Sequence, residues 1–256
     1  MWEENNLGTD NPKQLLRTLI YAIGIQYGLR ARKEHRQLRF GENSQFQLIE
    51  DPVTKRNILR YTEDCSKTRS GGLKERNILP KCVDRIETDS CRNVVKLYKK
   101  FVSHRPKCGK NLENFYLQPL TTPTNDVWFK DQAVGVNNIG NTVKELFQEA
   151  KIEGHYTNHS LRRSKVTRLM QAGIPNNDVK LETGHRSDAG VMCYREFSKE
   201  ESLKLQEICE TTTVKARVDI IKADDKEKQR SEEKEEPKIA KKVRLQTSWG
   251  SIEIDL

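Results

Sequence analysis

Between Phe46 and Tyr61 the apolar residues change their period, and that change constrains the fold more than any other feature. Before it, Leu15, Leu16, Leu19, Ile20, Ile23 and Tyr27 recur at helical spacing and stop at Gly28. The short segment 30–40 is strongly basic and also reads as helix. Then Phe46-Gln47-Leu48-Ile49 and Ile58-Leu59-Arg60-Tyr61 are short apolar runs split by Asp51-Pro52 and polar residues, the pattern of a hairpin. Asn77-Ile78-Leu79-Pro80, after a loop containing Ser70-Gly71-Gly72, reads as a third strand. From Cys91 the helical period returns, with Val94, Val95, Tyr98, Phe101 and Val102, and again with Ile139, Val143, Leu146, Phe147 and Ala150. Residues 105–136 read as irregular. Further helices are expected over 159–172, closed by Gly173, over 177–182, and over 199–209, with Tyr194 on or near another short one. The fold class is α+β: mainly helical, with a small three-stranded antiparallel sheet.

Charge separates the chain into two parts. Of the net +9, the residues before Glu201 hold 34 basic and 24 acidic side chains, a net of about +10. A basic folded part favours a polyanionic partner, nucleic acid before an acidic membrane surface. From 209 to 256 large apolar residues thin out and mixed charge runs take over, so this stretch reads as a disordered tail. Residues 1–13 read as a loose lead-in, and 14–208 as the folded domain. The six cysteines form no C-x-x-C pair and no zinc signature, and no apolar run approaches the ~20 residues of a membrane helix. Lys241-Lys242-Val243-Arg244 is a short basic cluster of the nuclear-import kind; a solvated charge run explains it nearly as well.

Several short motifs can carry chemistry, and each alone is weak. His159 and Arg162 lie three apart at a helix start, so both can face one phosphate; in so basic a chain the pair also arises readily by chance. Thr183-Gly184-His185 offers a tight turn presenting a ring, and Tyr194 follows nine residues after the histidine. Packing is the commoner fate of such a tyrosine. Gly28-Leu29-Arg30 puts an arginine near a helix N-terminus, and Ser66-Lys67-Thr68-Arg69 places a lysine in the loop after the second strand. Lys74 lies in the same loop and competes with Lys67.

The order of these motifs is more specific than any one of them. Gly-Leu-Arg, a small sheet with a lysine in its second turn, His-x-x-Arg, Gly-His and then Tyr resemble the tyrosine recombinase and phage integrase family, over about residues 14–208. Thr157-Asn158-His159-Ser160-Leu161-Arg162, Thr167-Arg168-Leu169, Ala172-Gly173, Thr183-Gly184-His185-Arg186-Ser187, Asp126-Val127-Trp128-Phe129 and Val134-Gly135-Val136-Asn137 are similar to its eukaryotic branch. That branch includes Crypton-type transposons and the domains related to them in zinc-finger MYM-type proteins.

The resemblance implies a site and a reaction. Tyr194 would attack a DNA phosphodiester and form a 3′-phosphotyrosine. Arg30 and Arg162 would clamp the non-bridging oxygens, and His159 would assist proton transfer. Lys67, or Lys74, would protonate the leaving 5′-oxygen, and His185 would hydrogen-bond the phosphate. Guanidinium neutralises phosphoryl charge bidentately, and a covalent intermediate keeps the bond energy for rejoining, so neither metal nor cofactor is implied. The expected partners are double-stranded DNA and a homo-oligomer assembled on it, with no membrane, in the nucleus. Members usually carry an N-terminal helical DNA-binding domain, and only about a dozen residues precede the catalytic segment here. A domesticated DNA-binding or chromatin module without recombinase activity is therefore the second expectation.

Overall fold

The structure, a computed structural model, describes residues 1–64, 80–210, 242–247 and 250–255. It divides into a unit spanning Met1–Glu196 and a second spanning Phe197–Leu256.

The first unit is built round α1 (Pro12–Tyr27). Asn11 starts it, its side chain accepting from Gln14 N at 2.9 Å, and Pro12 sits where the missing N–H costs nothing. Leu15, Leu19, Ile23 and Tyr27 are fully buried along one stripe. Gly28 ends the helix at φ 60°, a left-handed cap that suits glycine. Then α2 (Ala31–Arg36) begins at Arg30, and the strands β1 (Phe46–Glu50), β2 (Asn57–Thr62) and β3 (Cys82–Ile86) form an antiparallel sheet in the order β1-β2-β3. Phe46 pairs with Tyr61 and Tyr61 with Val83; all three face inward. Tyr27 joins sheet to helix: its ring meets Phe46 edge-on at 5.1 Å, and its hydroxyl donates to Leu59 O at 2.9 Å.

The third strand is thus not the expected one. Residues 77–79, with the rest of 65–79, lie outside the described residues, and β3 starts at Cys82. Val83 alternates inward between exposed Cys82 and Asp84, the period-2 pattern that a run beginning at Asn77 hides. Next come α3 (Val94–Ser103) and a stretch expected to be irregular. It holds a two-stranded hairpin, β4 (Leu117–Pro119) with β5 (Phe129–Ala133), register-shifted between Leu117 and Pro119. Buried Arg105 orders the approach to β4 by donating to the carbonyls of Leu112, Asn114 and Phe115 at 2.5–3.0 Å. No periodic pattern in the sequence announces that pinning, which spans seven to ten residues.

Helices α4 (Val136–Glu149), α5 (Asn158–Gln171), α6 (Asn176–Thr183) and α7 (Asp188–Met192) complete the unit, and α5 packs on α1. Two buried clusters result. The large one runs from α1 through the sheet to Phe101, Phe115 and Phe129; a small one joins Val166, Val179 and Val191, with Tyr194 against it. Residues 1–11, expected to be loose, pack on the core: Leu7 is buried, Trp2 lies against the large cluster, and Lys100 donates to Thr9 O at 2.8 Å. A further helix covers residues 199–210 in the second unit. In the expected tail, 211–241 lies outside the described residues, and β6 (Lys242–Thr247) pairs antiparallel with β7 (Gly250–Asp255). No helix among the described residues is long and apolar enough to cross a membrane.

Candidate active site

Helix α5 breaks the usual rule for a packed helix. Its inward face buries Asn158, Arg162 and Lys165 beside Leu161 and Val166. A buried cation is costly unless its surroundings supply acceptors. The acceptors here are the last carbonyls of α1, which carries no basic residue in its own last turn. Arg162 Nη1 donates to Gly28 O at 2.5 Å, Lys165 Nζ to Gln26 O at 2.8 Å and Arg85 Nη2 to Gln26 O at 2.6 Å. Lys81 Nζ donates to Tyr27 O. Four cations from α5, β3 and the residue before β3 therefore cap the negative end of one helix.

Two glycine turns face each other across this cap. Gly28 ends α1 at φ 60°, and Gly184 ends α6 at φ 72°. Each is crowded by a lysine stem: a Cβ on Gly28 would lie 3.1 Å from Lys165 Cδ, and one on Gly184 would lie 3.2 Å from Lys81 Cδ. The arginines cross between the turns. Arg162 holds Gly28 O, while Arg30, which follows the Gly28 turn, directs Nη2 to Gly184 O at 3.4 Å. Arg30 is also shared by two carboxylates, Glu34 Oε1 at 3.3 Å and Glu63 Oε1 at 3.6 Å, and its backbone N–H donates to Glu34 Oε2 at 2.5 Å. With its side chain 42% exposed, Arg30 keeps part of its guanidinium open to solvent.

His185 follows Gly184 directly. Thr183 Oγ1 lies 2.7 Å from its Nδ1 and 2.5 Å from Val179 O. The threonine proton goes to the carbonyl, so Nδ1–H must donate to Oγ1, and Nε2 is left as the acceptor. Arg162 Nη2 stands 3.3 Å from that Nε2. Burial, and then Arg162, Arg30, Lys81 and His159, push the His185 pKa down to about 4, so the ring is neutral at pH 7. Burial and then Arg30 lower the pKa of Arg162 itself.

Tyr194 completes the group. It follows α7, which Ser187 caps by accepting from Gly190 N at 3.2 Å. Thr167 Oγ1 donates to Tyr194 O at 3.0 Å, and Arg163 pairs with Glu196, which fixes this segment along α5. The Tyr194 hydroxyl lies 3.4 Å from His159 Nε2, and its ring centre is 5.6 Å from that of His185.

Five of the expected residues, Arg30, His159, Arg162, His185 and Tyr194, are thereby linked through direct contacts or a shared turn. Lys67 and Lys74 lie outside the described residues. Sequence reasoning missed Lys81, Lys165, Glu34, Glu63, Glu182 and Arg85. Lys165 was within its reach, since it stands three residues after Arg162 on the same helix face. Lys81 and Glu63 stand at either end of the segment that contains Lys67 and Lys74.

This fold is that of a tyrosine recombinase catalytic domain. Its likeness to the XerH site-specific recombinase, in a post-cleavage complex with a palindromic difH substrate, has a TM-score of 0.50 at 18% identity and covers 81% of this chain and 49% of that one. A family model described as a domain of unknown function, DUF3504, matches residues 1–148, and the chain belongs to that family. The match ends before α5, so it spans the Arg30 turn and the sheet but not His159 to Tyr194. Among curated relatives, the uncharacterized protein KIAA1958 of Homo sapiens is 26% identical over 161 residues, 60% of this chain and 21% of its own length. Zinc finger MYM-type protein 2 of Homo sapiens is 27% identical over 173 residues, 60% of this chain and 12% of its own. The chain thus spans about a fifth or less of the curated relatives it matches.

Proposed function

We propose that this chain binds double-stranded DNA and breaks and rejoins it through a 3′-phosphotyrosine. The observation that carries this reading is the convergence of Arg30, His159, Arg162, His185 and Tyr194 from segments far apart in sequence. Around them Arg30, Arg162, Lys165 and Arg85 outnumber the carboxylates Glu34, Glu63 and Glu182, an excess of positive charge that suits a phosphodiester.

In the proposed reaction the Tyr194 oxygen attacks phosphorus, and its proton passes to His159. Arg30 and Arg162 neutralise the equatorial oxygens. The bond to the 5′-oxygen breaks, and that oxygen takes a proton from Lys67 or Lys74. Reversal by a 5′-hydroxyl of another strand restores the phosphodiester, so no metal or nucleotide enters the scheme. His185 has no free donor in the unliganded protein. A phosphate seated on Arg162 would compete for its Nη2 and favour the protonated ring, which can then donate from Nε2.

The origin and setting belong to the same proposal: a Crypton-like, transposon-derived chain that acts in the nucleus as a homo-oligomer on DNA. The second reading is a DNA-binding or chromatin module without strand cleavage. The sharing of Arg30 between Glu34 and Glu63 favours it, because phosphate must displace carboxylates there. Nicked duplexes with a randomised centre, whose short 5′-fragment diffuses away after attack, separate the two. Covalent capture by wild type and none by Tyr194→Phe supports the recombinase. DNA retention without capture by either selects the binding module.

A further inference from the structure

Lys165 has no role in the scheme above, yet its side chain is only 6% exposed, so that with Arg162 and Lys81 it is one of three buried basic residues of the site. Its Nζ reaches three acceptors on two elements: Gln26 O at 2.8 Å near the end of α1, Glu182 O at 3.2 Å near the end of α6, and Glu182 Oε1 at 2.9 Å. Glu182 also pairs with Arg85 of β3, which itself donates to Gln26 O. The two helix ends so joined are the ones that turn at Gly28 and Gly184 into Arg30 and His185. We propose that Lys165 is a positioning residue that stitches these two turns together, so that Arg30, Arg162 and His185 are held in one geometry before a phosphate arrives. The inference rests on the phosphodiester reading for its purpose, though not for its geometry.

The surroundings make this stitch sensitive to alkali. Glu182, Arg85, Arg162 and Lys81 are the charged groups facing Lys165. Burial, against the opposing pull of Glu182, brings its pKa down to about 8. Above that pH the amine loses its charge-assisted bond to Glu182 and its attraction to the end of α1. Global stability moves the other way on this group's account. Its folded pKa lies below the ordinary lysine value, so the unfolded chain binds more protons between about pH 8 and pH 10.5, and deprotonation there favours the fold. Loss of site order without loss of stability is therefore the signature of a stitch, and a merely structural lysine would not give it.

The test uses the full chain. The His185 Nδ1–H resonance reports the Gly184 turn, and the side-chain N–H resonances of buried Arg162, which donates to Gly28 O, report the Gly28 turn. In wild type both should be protected from exchange at pH 7 and fade above about pH 8. Lys165→Met should lose both at pH 7 while leaving the urea midpoint within error or higher. Glu182→Gln, a gentler change should Lys165→Met fail to fold, should move the fading to lower pH by about one unit. Capture of nicked duplex should fall on the order of a hundredfold in Lys165→Met, as expected for misplacement of the clamp. Protected resonances in Lys165→Met, or a fading point unmoved in Glu182→Gln, would overturn the stitch. Absence of capture by wild type would overturn only the strand-cleavage reading, since the resonances still decide the role of Lys165.

Discussion

Replacing Arg162 by methionine should separate stability from chemistry. Arg162 is 3% exposed and donates to Gly28 O at 2.5 Å. Removing it leaves that carbonyl short of a partner, which costs about 1–3 kcal/mol. Against this, the substitution removes a buried cation that its surroundings disfavour, as the lowered pKa shows, and relieves its repulsion of Arg30. Methionine keeps the apolar stem and adapts to the space left by the guanidinium. Replacing buried ionic groups with apolar ones of similar volume is often neutral or favourable, so the net change should be within about 1 kcal/mol of zero. Phosphoryl transfer should respond differently, because removing one preorganised donor to a developing charge slows a reaction by about a hundred- to a thousandfold. Urea unfolding followed by circular dichroism measures the first quantity, and the rate of covalent capture on nicked duplexes the second. A loss of more than about 3 kcal/mol with capture unchanged would mean that Arg162 is a structural clamp for the Gly28 turn, and the catalytic reasoning would fail there.

Three further outcomes follow from the same geometry. His185 and fully buried His35 have pKa values pushed down by burial to about 4 and about 3, so the unfolded chain takes up protons first, and stability should fall as pH drops below about 6.5. The urea midpoint between pH 7 and pH 4 checks this, and a flat profile in that window contradicts both neutral rings. Gly184→Ala should destabilise by about 1–2 kcal/mol, since φ is 72° and the added carbon would press on the Lys81 stem, whereas Gly173→Ala, at φ 75° with open space around it, should show the backbone cost alone; the difference between their unfolding midpoints isolates the crowding. Affinity for random-sequence duplex should fall steeply between about 50 and 200 mM salt, and a salt-independent affinity would remove the electrostatic account of binding.

The sequence exposed those parts of the fold and site that rest on local rules. Gly28 stops a helix whose apolar stripe is continuous from Leu15 to Tyr27, and both the stop and the stripe can be read from neighbours in the chain. The spacing of His159 and Arg162 likewise puts two side chains on one helical surface. What escaped reading depends on partners that no periodic pattern marks. Arg105 looks like a surface arginine until the carbonyls of Leu112, Asn114 and Phe115 come round it, and only then does the stretch leading to β4 acquire a structure. The cations on α5 escaped for a related reason. Lys165 in a basic stretch reads as solvated, and nothing near it in sequence reveals the carbonyls of Gln26 and Glu182. Yet α1 ends without a basic residue of its own, although helix ends favour cations. That vacancy is legible in the sequence, and the structure fills it from α5, β3 and Lys81. A helix that borrows the cations for its C-terminus from elsewhere gathers positive charge at one place, and in this chain that place is where the Arg30 and His185 turns meet.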